Sequence, residues 1–193
     1  HVNMVREASQ KLQLFNIYGP TENTTLSTYY PIEELQEGNV PIGKSISNTT
    51  AYVLDPYDKL CPIGVYGELV LGGDGLARGY LNNRELTTKK FITNPYRQQE
   101  RIYKTGDLVR WLPDGNLEFL GRVDNQVKIR GFRIEPGEIE HHLSNHPLIK
   151  ETIVIDREDE KDNKYLVAYL VADKVISVKE MRQYLSEDLP DYM

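Results

Sequence analysis

The sequence predicts a chain of mixed class. A strand-rich, barrel-like stretch covers residues 40–123, and a small α+β unit follows, with the boundary at Arg122–Asn125. Three observations predict this. Between residues 40 and 123 short apolar runs alternate with clusters of Gly, Pro, Asn and Asp, the rhythm of strands and turns. After Asn125 apolar residues recur twice at helical spacing, around two further strand-like runs. The 193 residues are 39% hydrophobic and 27% charged, ordinary for a chain that packs a core, and long enough for one domain or two small ones.

The elements follow in order. Met4, Val5, Ala8 and Leu12 read as the end of a helix running into Leu14-Phe15. The segment Asn16–Glu22 is dense in turn formers and polar groups. Ala51–Leu54 is a strand ended by Asp55-Pro56, and Gly67–Leu71 is another, stopped by Gly72-Gly73. Val109–Leu112 and Asn116–Leu120 flank Pro113-Asp114-Gly115, a hairpin signal. Val127–Arg130 and Phe132–Ile134 predict a two-stranded ribbon bent at Gly131. A helix begins near Pro136, pre-set for a first turn, with Ile139 and Leu143 on one face and His146-Pro147 at its end. Strands at Thr152–Ile155 and Tyr165–Ala172 and a helix over Val178–Leu189 complete the pattern.

Charge excludes some functions. Lys and Arg number 23 against 29 Asp and Glu, a net charge of −6. Binding to nucleic acid or to an anionic membrane needs a basic face, so neither is expected. One bound nucleotide is compatible, since local donors and a metal ion hold phosphate on acidic proteins. No apolar run approaches the roughly 20 residues that cross a bilayer. A single cysteine, Cys61, excludes an internal disulfide and a Cys-built zinc site. No secretory signal is visible, and a chain starting with His1 is expected to be cut from something longer.

Four strings carry candidate chemistry. Tyr18-Gly19-Pro20-Thr21-Glu22 offers an aromatic face for a base, a hydroxyl for a phosphate and a carboxylate for Mg²⁺; alone, it is better read as a surface turn before a Thr-capped segment. Asp107 of Thr105-Gly106-Asp107 suits the two hydroxyls of a ribose, because a carboxylate only accepts; it also suits an ordinary turn. Gly72–Tyr80 lacks the Gly-Lys-Ser/Thr ending of a phosphate loop and reads as a structural loop, with Arg78 tying neighbouring segments. Lys128, Arg130 and Arg133 form a basic group, either a solvated edge or a contact for a phosphate-bearing partner. His141, His142 and His146 read as surface residues of a helix, with no metal-binding spacing.

In series these strings carry more than singly. NIYGPTE (Asn16–Glu22), GELVLGGDGLARGYL (Gly67–Leu81), YKTGDL (Tyr103–Leu108), GRVDNQVKIRGFRIEPGEIE (Gly121–Glu140) and LPDYM (Leu189–Met193) follow one another over nearly the whole chain. This series resembles the adenylation domains of nonribosomal peptide synthetases, in the adenylate-forming superfamily. The resemblance implies the end of a large α/β core over 1–28, a β-barrel-like subdomain over 29–123 and a mobile C-terminal α+β domain over 124–193. It implies a cytoplasmic AMP-forming ligase that makes aminoacyl-AMP from ATP and an amino acid, then loads the phosphopantetheine thiol of a carrier domain, in antibiotic-type peptide synthesis with a condensation domain adjacent.

By the same resemblance, Asn16 and Tyr18 contact adenine and Gly19 belongs to the nucleotide loop. Thr21 contacts phosphate, Glu22 holds Mg²⁺, Asp107 takes the ribose hydroxyls, and Arg122 lies at the ribose. Ile17, Thr25 and Leu26 line the amino-acid pocket. Asp124 is the hinge, Lys128 enters for thioester formation, and Gly131 leaves room for the pantetheine arm. Pro136 departs from the family pattern, which usually carries Leu or another residue there. The upstream phosphate loop, the Asp that holds the substrate amino group and the downstream catalytic lysine are absent, so this stretch alone is expected to be inactive. A D-alanine–carrier protein ligase, an acyl-CoA synthetase and a non-catalytic nucleotide- or carrier-binding module are the rivals; the run Asp124–Gly131 favours the peptide synthetases.

Overall fold

A computed structural model of the chain describes residues 3–5, 12–34, 38–160 and 163–193. The chain divides into two compact units, His1–Val123 and Asp124–Met193. Of the expected N-terminal helix, Met4 and Val5 are helical, Ala8 lies outside the described residues, and Leu12 sits in a bend.

In the first unit, β1 (Leu14–Tyr18), β2 (Thr28–Ile32) and β3 (Lys44–Ser45) form one antiparallel sheet. Asn16 and Gly19-Pro20 suggest a turn from residue 16 onward. Instead the strand continues to Tyr18, because β2 pairs with it in register from Leu14↔Ile32 to Tyr18↔Thr28. The alternation of β1 puts Asn16 and Tyr18 on one face and Phe15 and Ile17 on the exposed other.

A second sheet holds β4 (Thr49–Leu54), β5 (Gly67–Gly73), β6 (Phe91–Thr93), β7 (Arg101–Trp111) and β8 (Leu117–Arg122). β5 lies between β4 and β7, and the far edge of β7 pairs with β6 at its start and β8 at its end. Both faces of this sheet are apolar. Val53, Leu69, Leu71 and Val109 pack on one, Leu54, Val70 and Ile102 on the other. Burial on both faces is why Leu69–Leu71 reads as a continuous apolar run. The barrel-like expectation is corrected here: among the described residues the sheet is open. Its ladder does not continue from β8 back to β4, because residues 42–43 take the edge of Leu117, with Ile42 N–H donating to the Leu117 carbonyl at 2.8 Å and Leu117 N–H to that of Gly43 at 2.8 Å.

Two features of this sheet were not anticipated. A short helix, α1 (Arg84–Lys90), starts where Asn83 Oδ1 accepts the Leu86 N–H at 2.9 Å. β7 is a single long strand, not two strands around a Thr105–Asp107 turn. Glu68 pairs with Leu108 but Val70 with Lys104, so Thr105–Asp107 bulge out of the ladder, with Gly106 at φ +76°.

In the second unit, β9 (Val127–Ile129) and β10 (Phe132–Ile134) form the ribbon. Its two-residue turn has Arg130 at φ +52° and Gly131 at φ +86°, the two positive values of a type I′ hairpin. α2 (Pro136–Ser144) follows, with Pro136, Ile139 and Leu143 buried. β11 (Ile149–Glu158) and β12 (Lys164–Ala172) form an antiparallel pair, and α3 (Val178–Leu185) opens on a capping box between Ser177 and Glu180. One core joins Ile129, Ile134, Ile139, Leu143, Ile149, Val154, Met181 and Leu189. Among the described residues no helix is long and apolar enough to cross a membrane.

Candidate active site

The bulge in β7 has a directing effect. Thr105 Oγ1 donates to the Leu69 carbonyl at 2.6 Å and accepts the Asp107 N–H at 3.0 Å, while Gly106 N–H donates to Glu68 Oε1 at 2.9 Å. These bonds replace the ladder bonds lost at the bulge and fix how Asp107 leaves the strand. Its carboxylate meets two donors. Arg122, its register partner on β8, donates through Nη1 to Oδ1 at 2.6 Å and through Nη2 to the Thr105 carbonyl at 3.1 Å. Tyr18, at the end of β1, donates its hydroxyl to Oδ2. Residues 18, 107 and 122, far apart in sequence, thus share one buried network; Asp107 is 6% exposed.

Burial pushes the Tyr18 phenol well above its ordinary pKa of 10.0, and the negative charge of Asp107 pushes the same way. Tyr18 is therefore a donor throughout the physiological range. Its ring packs against the core formed by Ile42, Val53 and Leu69. An ionised carboxylate has about four lone-pair sites. Two are engaged here, and the engagement fixes the plane of the others.

After Tyr18 the chain closes a tight loop. Gly19 has no room for a side chain: a Cβ there would lie 2.3 Å from the Thr25 carbonyl oxygen. Thr21–Asn23 make a 3-10 turn, the Asn23 and Thr25 N–H groups both donate to the Pro20 carbonyl, and Thr24 and Thr25 take left-handed φ values of +51° and +69°. Thr24 Oγ1 donates to the Gly75 carbonyl at 2.5 Å. Thr21 and Thr25 are exposed, as is Leu26. Asn23 is buried, its Nδ2 donating to Ser27 Oγ at 3.0 Å and its Oδ1 without a hydrogen-bond partner among the described residues.

Glu22 on this loop accepts the Tyr80 hydroxyl at Oε1, 2.7 Å away, and Tyr80 lies 3.5 Å from the Tyr103 hydroxyl. Burial and these neighbours hold the Tyr80 phenol far above its ordinary range. Tyr80, Phe91 and Tyr103 stack edge and tilt at 5.5 and 5.1 Å between centroids. Sequence reasoning did not find Tyr80 or Tyr103. The signal lay beside the residue it did choose: in Gly72–Tyr80 the linking groups include the Tyr80 hydroxyl and the carbonyl of Arg78, which accepts from Arg101 at 3.1 Å, while the Arg78 side chain is exposed. β7 thus supports both ends of the loop, Asp107 at Tyr18 and Tyr103 near Glu22.

Asn16 shares the inner face of β1 with Tyr18, but its Nδ2 donates to the carbonyls of Val40 and Pro41 at 3.3 and 2.7 Å, fastening that segment. Ile17 faces the opposite way and is exposed. In the second unit, Lys128 is exposed and pairs across the ribbon with Arg133. A Cβ at Gly131 would meet nothing within 4 Å. His142 Nδ1 lies 3.5 Å from Asp188, and His146 packs edge-on to Tyr184. Among the described residues no group of three or more His, Cys, Asp or Glu is placed to hold a metal. A cavity of about 480 Å³ opens elsewhere on the first unit, between Asn48–Thr50, Gly73–Asp74 and Arg97, Glu100 and Arg101, and includes none of Tyr18, Glu22, Tyr80, Asp107 and Arg122.

The family profile described as AMP-binding enzyme matches residues 2–81, and that described as AMP-binding enzyme C-terminal domain matches residues 138–193. The chain belongs to the AMP-binding enzyme family. Its relatives are peptide synthetases. It is 52% identical to Gramicidin S synthase 2 of Brevibacillus brevis over 100% of this chain and 4% of that protein. It is 55% identical to Surfactin synthase subunit 2 of Bacillus subtilis (strain 168) over 100% of this chain and 5% of that protein. Among solved structures it resembles PA1221, an NRPS protein containing adenylation and PCP domains, with a TM-score of 0.83 and 34% identity over 100% of this chain and 39% of that one. It also resembles NpsA-ThdA, an artificially fused adenylation–PCP di-domain NRPS from Klebsiella oxytoca, with a TM-score of 0.79 and 33% identity over 97% of this chain and 35% of that one. This family member therefore spans a small part of the curated relatives it matches, and its fold is that of adenylation domains.

Proposed function

We propose that this chain forms part of an adenylation domain that activates an amino acid with ATP and transfers it to the phosphopantetheine thiol of a peptidyl carrier domain. The observation that carries the reading is the meeting of Tyr18, Asp107 and Arg122 in one buried network on a chain whose relatives are peptide synthetases. A carboxylate is a poor electrophile. In the first half-reaction its oxygen bonds to the α-phosphorus of ATP and the bond to pyrophosphate breaks. In the second, the thiol sulfur bonds to the acyl carbon and AMP leaves.

In this reading Asp107 accepts the two ribose hydroxyls through its remaining lone pairs, with Arg122 and Tyr18 holding its orientation. The Tyr18 ring offers a face to adenine and Asn16 lies one register step along the same face. Gly19 keeps the loop close to the strand, so that Thr21 can donate to a phosphate oxygen. Ile17, Thr25 and Leu26 form an uncharged part of the amino-acid pocket, separated from the nucleotide side by the alternation of β1. The donor set suits Mg²⁺ bound to nucleotide: a single carboxylate, Glu22, is the pattern by which Mg²⁺ keeps its waters and takes phosphates as its other ligands. Such an ion would offset the charge of the phosphates. Residues 124–193 act as a separate body turning at Asp124, with Lys128 brought in for thioester formation and Gly131 beside the pantetheine arm. The first 28 residues complete an α/β core, and residues 29–123 form the sheet subdomain. A condensation domain as neighbour and a cytoplasmic location fit this assignment.

The test uses the complete synthetase that carries this chain. ATP–pyrophosphate exchange is expected with at least one amino acid from a panel; stimulation by fatty acids alone would reject the reading. Lys128→Ala is expected to slow thioester formation at least tenfold while exchange changes less than threefold.

A further inference from the structure

Gln126 is 6% exposed, an unusual place for a carboxamide, and its environment is built around that group. It lies just before the ribbon. Its Oε1 accepts the Arg133 Nε–H at 2.6 Å, and its Nε2 donates to Glu135 Oε1. Its own N–H donates to Asp124 Oδ1 at 3.3 Å. One side chain is thus joined to a cation on β10 and to an anion on the residue that precedes α2. The two charges demand opposite things, an acceptor for Arg133 and a donor for Glu135. A primary amide supplies both from one planar group, and each bond is charge-assisted.

The consequence falls on the ribbon. Arg133 is the register partner of Lys128, so fixing Arg133 fixes the strand across which Lys128 stands. Glu135 fixes the exit of β10 into α2. At the other end, the ring of Phe132, next to Gly131, stacks on Tyr192 at 4.2 Å and 4°. Ile129 and Ile134 anchor the inner face of the ribbon in the core, while the polar and aromatic contacts above set its outer side, where Lys128 and the turn are exposed.

We infer that Gln126 is a positioning residue for the second half-reaction: it locks the ribbon bearing Lys128 to the segment that follows Asp124, so that the two swing as one body. The inference rests on the adenylation reading above. It assigns Gln126 no contact with substrate. Its requirement is a donor facing Glu135 and an acceptor facing Arg133, and that requirement can be exchanged between partners. Gln126→Glu presents two acceptors and sets a carboxylate against Glu135. Adding Glu135→Gln restores the complement in reverse, with the new carboxylate accepting from both Arg133 and the new amide.

The experiment measures both half-reactions in the complete synthetase and its carrier domain. Gln126→Glu is expected to slow thioester formation about tenfold or more while ATP–pyrophosphate exchange stays within threefold, and Gln126→Glu with Glu135→Gln is expected to return thioester formation to within threefold of wild type. Equal losses in both half-reactions, or no recovery in the double variant despite a wild-type melting curve, would overturn the inference. Lys128→Ala measured alongside separates the two levels. If it slows thioester formation while Gln126→Glu does not, only the role of Gln126 fails; if Lys128→Ala makes thioester at the normal rate, the ribbon's part in the adenylation reading fails and the inference with it.

Discussion

Asp107 and Lys128 stand at opposite extremes of this chain. Asp107 is buried, aimed by a bulge in an eleven-residue strand and joined to Tyr18 and Arg122. Lys128 is exposed on a strand of three residues whose turn needs two positive φ angles. A group that must present fixed lone pairs gains from immobility in a low-dielectric site. A group that must be carried to its place gains from a small rigid lever with its charge in water. The first is specified by long-range packing, the second by turn chemistry and a local polar lock. Substitutions should separate the two regions accordingly.

The largest effect is expected at Asp107. The side chains of Arg122 and Asp107 are only 12% and 9% exposed, so Asp107→Ala strands a desolvated guanidinium, a loss of roughly 3 kcal/mol or more in stability. Weakened use of ATP by about 1–3 kcal/mol is expected as well. Lys128→Ala should cost under about 0.5 kcal/mol, as for other exposed positions. Urea unfolding of the complete domain measures both; similar losses would end the contrast between the regions.

Two glycines sharpen it. At Gly19 an added Cβ meets backbone at 2.3, 2.7 and 2.8 Å, atoms of Thr25 and Leu26 that cannot rotate away. Gly19→Ala should cost about 2–3 kcal/mol, the scale of overpacking. At Gly131 the space is open but φ is +86°. Gly131→Ala should cost about 1 kcal/mol, the left-handed penalty of a residue bearing a Cβ. Thermal melts of the two variants decide: a smaller shift for Gly19→Ala would mean that the loop yields. A similar effect is expected at Tyr80→Phe, which removes the donor 2.7 Å from Glu22 and should cost about 1 kcal/mol.

The same contrast explains what could be read from the sequence. Local chemistry was legible. Pro113-Asp114-Gly115 marked the β7–β8 hairpin, Pro136 the start of α2, and Gly131 the bend of the ribbon. The series of motifs carried the family. Non-local organisation was not legible. Residues 16–18 look like a turn, and only the distant partner β2 makes them strand. Gly106 looks like the end of a strand, and only pairing on both sides of β7 carries the ladder past it. The open sheet depends on residues 42–43 occupying the edge at Leu117. Tyr80 and Tyr103 were invisible because the Tyr80 phenol meets Glu22, and Tyr103 meets Tyr80, only after the chain has folded these distant segments together. α1 escaped because Thr87 and Thr88 are weak helix formers and its start rests on one Asn83 cap.

An effect confined to high pH tests the buried side of the comparison by titration. The Tyr18 phenol has a folded pKa above its unfolded value of about 10, with burial the main cause and Asp107 the second. Above that value the folded state binds more protons than the unfolded one, so stability falls as pH rises. The contribution is complete below about pH 10 and is lost progressively as the pH climbs toward the folded pKa. By linkage the loss reaches about 1.4 kcal/mol at pH 11. Tyr18→Phe has no such proton to lose. The stability difference between wild type and Tyr18→Phe should therefore be constant from about pH 7 to 9 and shrink by about 1.4 kcal/mol by pH 11. Tyr80, whose phenol shifts in the same direction, is present in both proteins and cancels. Denaturant unfolding at four or five pH values measures the difference. A gap that stays constant to pH 11 would mean that the Tyr18 hydroxyl is hydrated, and that Asp107 is held by Arg122 without it.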